Sequence, residues 1–600
     1  MGVALPSVVG DFVVAWGPEA AGWVRSLDGF TAVTTALDST QAAVRGAVQT
    51  GRTDDGSRWL AIADLIEGRL DEGVRALADG TPPHGKWRGR FAQVVWHQGS
   101  RCLAAVTDQF STLPLYTLAH GDVFAVATDL RLLARSPWSE RVVDLESVYH
   151  YLNFACIPAP RTIFRDIRKL EPSVRLRRVD GQTAVEDRYF VPDYPEDLRG
   201  SDDELAAGLR ERIVTAVQEY RPQTAGGWGC FLSGGTDSSS IVSILARQGG
   251  PQRVRSFSIG FAEAGYDELD YARLAAEACG AEPTFAKVSR EKAQALVTRV
   301  VESFDQPFGN ASAIPSLACA DLAHDRSVSV LLAGDGGDEI FGGNQRYGKD
   351  KVMETWFSMP ARVKAVGRSV GSALGGSSVH LFNRVENFFE RASLPNPDRF
   401  YTDDSFASDH YQELLTPAFR EHVERDASLD FMRRVYGLST TGGPLHRIMR
   451  LDLLMAIAQN DIPKVHGATR SAGVTARFPL LDPRLLAYTS RLAERQKVRG
   501  LTKRYLFRLA MKGILPAETL RKKKQGFGLP IAVWLRSDQG FQQVVRDALF
   551  DGRAAARGWW RTACVEALFD EHVRGGWDHA DSIWRLFVLE LWLRKYVDGR

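Results

Sequence analysis

What this sequence lacks narrows it first. No stretch of its 600 residues approaches about 18 uninterrupted apolar positions, so no membrane-spanning helix is expected. The opening residues, Met1 to Gly10, carry no basic segment and run straight into Asp11, which is not the pattern of a secretory signal. Pro6 stands where a myristoylation signal needs Ser or Thr. Cysteine is scarce, with six residues at 102, 156, 230, 279, 319 and 564 and no Cys-x-x-Cys pair. That argues against a disulfide framework or a structural zinc site and predicts buried, reduced thiols in a cytoplasmic protein. An excess of one charge is missing as well. Lys plus Arg number 75 against 73 Asp plus Glu, so neither a nucleic acid nor a membrane surface is expected as partner. What is present is ordinary globular composition, 44% hydrophobic and 25% charged, in a length that suits about two to four domains.

The chain is organised around one stretch, Trp228-Gly-Cys-Phe-Leu-Ser-Gly-Gly-Thr-Asp-Ser-Ser-Ser240. Trp228–Leu232 reads as a buried strand. Ser233, Gly234, Gly235, Thr236, Asp237 and Ser238 form a turn, and a helix is expected over Ser239–Arg247 with Ile241, Ile244 and Leu245 on one face. Two glycines allow a tight turn whose amide groups meet a ligand unobstructed, and amides at a helix N-terminus bind phosphate or pyrophosphate. A carboxylate beside such an anion is explained by a shared Mg²⁺, which gives Asp237 its role. No Gly-Lys-Ser/Thr follows, so this is not a Walker-type loop, and the spacing of a dinucleotide fingerprint is absent. The loop resembles the pyrophosphate loop of the ATP pyrophosphatases, which implies cleavage of ATP to AMP and pyrophosphate.

A second strand-to-acidic-turn follows at Leu332-Ala-Gly-Asp-Gly-Gly-Asp-Glu-Ile-Phe-Gly-Gly343. Gly334, Gly336 and Gly337 suit a backbone close to pyrophosphate, and Asp338 is expected to share the Mg²⁺ with Asp237. Strands at Trp228–Leu232, Val254–Ile259 and Ser327–Leu332 alternate with helices, which predicts a doubly wound parallel sheet. An amphipathic helix, Glu204–Tyr220, leads into it from a turn-rich linker over Pro192–Asp203. Residues 1–195 read differently. Short strand candidates at Phe12–Trp16, Trp59–Ala63, Phe91–Trp96, Cys102–Val106 and Val123–Ala127, separated by turns, predict a β-sandwich. The tail, Trp559–Val597, reads as helical core or partner surface.

Further segments give the set its specificity. These are Asp305-Gln-Pro-Phe-Gly-Asn310, Asn460-Asp-Ile-Pro-Lys-Val-His466, Arg477-Phe-Pro-Leu-Leu-Asp-Pro-Arg484 and Arg521-Lys-Lys-Lys-Gln-Gly-Phe-Gly-Leu-Pro530. Together they resemble the synthetase domain of the asparagine synthetase family. Residues 108–116, 124–129 and 151–164 resemble the later part of that family's class II glutaminase domain. The resemblance implies an N-terminal glutaminase-like, Ntn-hydrolase-like domain over 1–195 and an ATP-pyrophosphatase α/β domain over 204–600. It places Leu232 and Ile259 near the adenine, makes Asp335 the acid that orients or deprotonates an incoming amine, and makes Lys524 the cation that steadies the acyl-adenylate and departing pyrophosphate. ATP and Mg²⁺ are the implied cofactors.

One departure matters. The family's glutaminase uses a cysteine directly after the initiator Met, whereas this chain has Gly2 and no cysteine before Cys102. The glutamine-holding segment is also unrecognisable around Asp64–Gly68. The expectation is a ligase that adenylates a carboxylate and couples it to an amine without hydrolysing glutamine itself. Lasso-peptide cyclases fit that combination, and the reading brings a precursor peptide and its leader peptidase as partners. β-Lactam synthetases fit less well, because they place Tyr where this chain has Asp335. An ammonia-dependent ligase acting on aspartate or a sugar acid is the rival, and a non-catalytic nucleotide-binding scaffold is the third alternative.

Overall fold

A computed structural model describes residues 10–599 apart from 18–19, 34–39, 55, 72–73, 75–86, 98–99, 224–226, 250–252, 264, 268, 361, 363, 365–387 and 522–527. The N-terminal part is a sandwich of two antiparallel sheets, each of six strands. Alternation drives it. On the strand Gly10–Trp16, Phe12, Val14 and Trp16 point into the sandwich and meet Leu60, Ile62, Val94, Leu103 and Ala105 of the other sheet. Val13 and Ala15 face the opposite way and join the large core shared with the C-terminal part. All five expected strands lie within observed ones. Two that the apolar pattern did not mark, Thr31–Val33 and Gln49–Arg52, lie at the sheet edges and are mostly exposed or polar.

Between Arg188 and Asp202 there is no helix or strand, yet the segment is docked rather than loose. Tyr194 is buried against the His446 ring at 4.4 Å, and Arg450 donates to the Pro192 carbonyl. Helix α1 (Asp202–Tyr220) then starts on a capping box between Ser201 and Glu204 and buries Leu205, Leu209, Ile213 and Val217.

The C-terminal part is built on a five-stranded parallel sheet. Its strands are β1 (Trp228–Phe231), β2 (Arg255–Phe261), β3 (Glu282–Val288), β4 (Val330–Leu332) and β5 (Thr475–Arg477), in the order β3-β2-β1-β4-β5. Helices α2 (Thr236–Arg247), α3 (Leu269–Cys279) and α4 (Ala313–His324) connect the first strands. The fold is therefore a β-sandwich joined to a doubly wound α/β domain. Boundaries shift in informative ways. β4 begins at Val330 rather than Ser327, because Ser327 has φ +58°, which no strand accommodates. β2 runs on to Phe261 because all seven of its residues pair with β3. The tail is helical at Thr562–Val573 and Ala580–Leu593, and the second of these packs into the shared core.

Sheet order fixes where a ligand goes. Strand order reverses at β1, whose neighbours β2 and β4 lie on opposite sides, so the loops after β1 and β4 leave the carboxyl edge side by side. That crevice is where open α/β sheets bind ligands.

Candidate active site

The first loop leaves β1 at Leu232, which is buried and still bonded through its amide to Phe257 of β2. Helix α2 starts at Thr236, three residues earlier than the apolar pattern suggested. Thr236, Asp237 and Ser238 thus form its first turn instead of preceding it. Gly235 is the N-cap and no side chain caps the helix, while an acidic residue in the first turn suits the positive end of the helix dipole. The Ser238 hydroxyl pins the turn from inside by accepting from the Ser233 amide at 3.2 Å. At Gly234, φ +71°, a Cβ would strike the backbone of Tyr271 and Ala272 in α3, so only glycine fits there.

The second loop runs past Gly334, Asp335, Gly336 and Gly337 into the short helix Gly337–Phe341. Gly336 takes φ +90°, and a Cβ there would strike the Leu481 side chain. At Gly337 a Cβ would lie against the Asp237 carboxyl, so the two loops interlock at that point. Gly337→Ala is expected to push Asp237 out of place and to lower ATP–pyrophosphate exchange by about 10²-fold. Exchange within threefold of wild type would show that the loops do not need this contact.

A crevice of about 810 Å³ opens between the loops. Leu232, Ser233, Gly235, Thr236, Asp237, Ser238, Ile259, Gly334, Asp335, Gly336, Gly337 and Asp338 all line it. Of the expected site residues, Gly234 lies in the loop without lining the crevice and Lys524 lies outside the described residues.

Three residues that the sequence reading left without a role also line the crevice, and each depends on packing between distant segments. Arg504 donates to both Asp237 and Asp338, including Nη2 to Asp237 Oδ2 at 2.5 Å. It is largely buried at φ +54°, and burial opposes its charge, but the two carboxylates outweigh that and hold it well above its ordinary range. A pair of like carboxylates brought together by two loops needs such a cation, which is the signal that the sequence carried. The other two are Lys464 and Asp461. A continuous helical run passes from Pro444–Asp452 through a π-helical stretch, Leu453–Asp461, into α5 (Ile462–Ser471). Pro463 falls just after the π stretch, which changes register and brings Asp461 and Lys464 onto the crevice wall. Lys464 Nζ lies 2.7 Å from Asp461 and 3.8 Å from Asp335. Burial pushes the Asp335 carboxyl up to about 6, with Lys464 opposing that rise and Asp461 adding to it.

The donor set suits a hard divalent cation. Two carboxylates, Asp237 and Asp338, converge closely enough for one guanidinium to bond both, and Gly337 leaves the space beside Asp237 clear of any side chain. The residues present therefore fit Mg²⁺ together with a polyphosphate at the start of α2.

Comparison with known proteins identifies the arrangement. The family model described as asparagine synthase matches residues 208–594, more than half of the chain. The chain belongs to the asparagine synthase family. It is an ATP-dependent carbon–nitrogen ligase, and the scaffold alternative falls. A glutamine amidotransferase domain model matches residues 78–190 of this family member. The "Putative asparagine synthetase (glutamine-hydrolyzing)" of Mycobacterium tuberculosis is 29% identical over 530 residues, covering 86% of this chain and 78% of that protein. "Asparagine synthetase (glutamine-hydrolyzing) 1" of Bacillus subtilis is 26% identical over 517 residues, with 86% and 79% covered. "Amidase chry2" of Gibberella zeae is 24% identical over 496 residues, with 74% and 70% covered. No helix among the described residues of this ligase is long and apolar enough to cross a membrane.

Proposed function

We propose that this ligase converts a carboxylate and ATP to an acyl-adenylate and pyrophosphate, then transfers the acyl group to an amine that it does not itself obtain from glutamine. The observation that carries the reading is the convergence of Asp237 and Asp338, from two glycine-rich loops, at the sheet's switch point, where the Arg504 guanidinium bonds both. A substrate carboxylate oxygen attacks the α-phosphorus, and pyrophosphate leaves toward the N-terminus of α2. Amide groups of the Ser233–Ser238 turn bind its oxygens, and Ile259 and Leu232 supply apolar wall for the base. Asp237 and Asp338 are the residues that would hold Mg²⁺, which when bound offsets the negative charge building on the pyrophosphate. Arg504 holds both carboxylates in register. Lys524 keeps its proposed role beside the acyl-adenylate. Asp335 accepts a proton from the incoming ammonium group, because only the neutral amine has a lone pair for attack on the carbonyl carbon.

Residues 1–195 are proposed as a degenerate glutaminase that supports the synthetase domain over 204–600. Gly2 lies outside the described residues, but the two cysteines of this region have been placed. Both Cys102 and Cys156 are buried in the fold, and burial pushes the Cys156 thiol up to about 12, far from a thiolate nucleophile. Asp64, in the segment where glutamine would be held, is taken by Arg477 at 2.6 and 2.7 Å. No glutamate release from glutamine is expected, and turnover above the no-enzyme rate would overturn this part.

The finer reading is a lasso-peptide macrolactam synthetase, which joins a peptide's α-amine to its own Asp or Glu side chain and works beside a leader peptidase. It is supported by the burial of Cys102 and Cys156, which offers no exposed thiol nucleophile among the described residues of this region, so the amine is proposed to belong to the substrate. An ammonia-dependent ligase acting on a small acid is the second reading; the asparagine synthetase names of the relatives support the small acid, although those names give glutamine as their nitrogen source. ATP–pyrophosphate exchange separates them, with aspartate, a uronic acid and a leaderless peptide bearing an internal Asp or Glu supplied singly and without amine. Exchange with the peptide alone is the expected result. Exchange with aspartate or the uronic acid alone would retire the peptide reading.

A further inference from the structure

The crevice wall holds three ionisable groups in a row, and only Asp335 has a role in the chemistry above. Lys464 stands between Asp335 and Asp461, 3.8 Å from the first and 2.7 Å from the second. Its side chain is 13% exposed, and the two carboxylates keep it charged despite burial. A buried ammonium committed to one neighbour is a fixed charge for the next. We infer that Lys464, anchored by Asp461, is a positioning residue that keeps Asp335 ionised and aimed at the amine. The inference rests on Asp335 being the proton acceptor.

The chemistry needs such a device. An ammonium substrate gives one proton to the Asp335 carboxylate, and the nitrogen lone pair then forms the C–N bond. The C–O bond to the phosphate breaks, AMP leaves with that electron pair, and the nitrogen's second proton goes to the AMP phosphate or to water. Asp335 must therefore be charged at the start, in a site whose burial favours the neutral acid. Lys464 offsets that burial. It also stands close enough to disfavour a second cation there, so the amine stays neutral once it has lost its proton. The other groups facing Asp335 are acids, Asp461 from the π-helical stretch and Asp237 from α2, and both work against its ionisation. Lys464 is the nearby charge that works for it, beside a backbone hydrogen bond.

Opposite signs make this testable without a substrate. Asp335 holds its proton more tightly in the folded chain than an ordinary carboxyl, so its contribution to stability is present at low pH and lost as pH rises through about 6. The difference in melting temperature between wild type and Asp335→Asn, followed from pH 4 to 9, isolates that titration. In a Lys464→Gln background its midpoint should rise by about 1–2 pH units, because an opposite charge within about 4 Å is gone. In an Asp461→Asn background it should fall, since Lys464 is released toward Asp335. Lys464→Arg should leave it within about half a unit. Midpoints that stay put in both the Gln and the Asn backgrounds, or that move the same way, overturn the inference. The parent reading fails separately, if Asp335→Asn still forms amide at the wild-type rate with whichever carboxylate and amine the wild-type enzyme couples.

Discussion

Replacing Asp338 with alanine is expected to lower ATP–pyrophosphate exchange by at least about 10³-fold while the protein stays folded. The magnitude follows from what the residue faces. A preorganised charge that acts where phosphate charge develops, in a site partly closed to water, contributes about 3–4 kcal/mol to the barrier. Asp338 shares Arg504 with Asp237, so the pair behaves as a unit, and Asp237→Ala should cost nearly as much. Stability should respond far less. Arg504 keeps its bidentate bond to Asp237 when Asp338 is truncated, and no buried charge is left alone. A melting temperature within about 3 °C of wild type, with exchange gone, is the expected pair of results. Exchange within tenfold of wild type in either variant would remove the metal assignment. Asp335→Asn gives the contrast, since it should spare exchange and lose amide formation.

The two glycine-rich loops were legible because each is local in sequence. An apolar run, two glycines and an acid within a dozen residues carry their own reading, and so do strands such as Phe91–Trp96 whose apolar side chains are contiguous. The partners of those loops were not legible. Arg504 meets Asp237 across 267 positions, and nothing near Thr502-Lys-Arg504 announces that it is destined for two carboxylates. Lys464 reaches Asp335 only because a π-helical stretch changes the register of a long helix, and no residue pattern over Leu453–Asp461 signals that change. The start of α2 was misplaced for a different reason. Ser, Thr and Asp suggest a cap wherever they occur, and here a glycine caps while they form the first turn. Strand Val174–Val179 hid behind its charge, because its arginines look solvent-seeking while Arg175 is buried and paired with Asp187. For Arg504, Lys464 and Arg175 the missing information is which other segment supplies the counter-charge.

Arg88→Met is expected to cost about 3–5 kcal/mol of stability and to lower exchange activity, although Arg88 lies in the N-terminal sandwich. Its guanidinium crosses to the synthetase domain, where it bonds Asp482 with Nε at 2.8 Å and also Glu219. Asp482 is 1% exposed and caps the helix Pro483–Ser490. Removing the arginine leaves a buried carboxylate with only the more distant Arg484 at 3.9 Å, which costs more than the pair contributes net. Asp482 sits next to Leu481, the side chain that fills the space beside Gly336 in the acidic loop. Neighbouring contacts work the same way. Arg90 donates to the Ala476 carbonyl at 2.6 Å in β5, and Arg470, on the helix that carries Lys464, reaches back to Asp11 at 2.5 Å. The sandwich thus braces β5, α5 and the loop behind Asp335, so loss of Arg88 should reach the chemistry as well as the melting temperature. Burial already raises the Asp482 carboxyl above its ordinary value, so its contribution is lost as pH rises, and the variant's deficit should shrink toward low pH as that group takes a proton. The double variant Arg88→Met/Asp482→Asn should recover about half of the loss, since no charge then remains to be paired. Single and double variants that are equally unstable at every pH would mean that Arg88 acts through packing alone. A stable, fully active Arg88→Met would mean that the N-terminal sandwich is carried along without supporting the site.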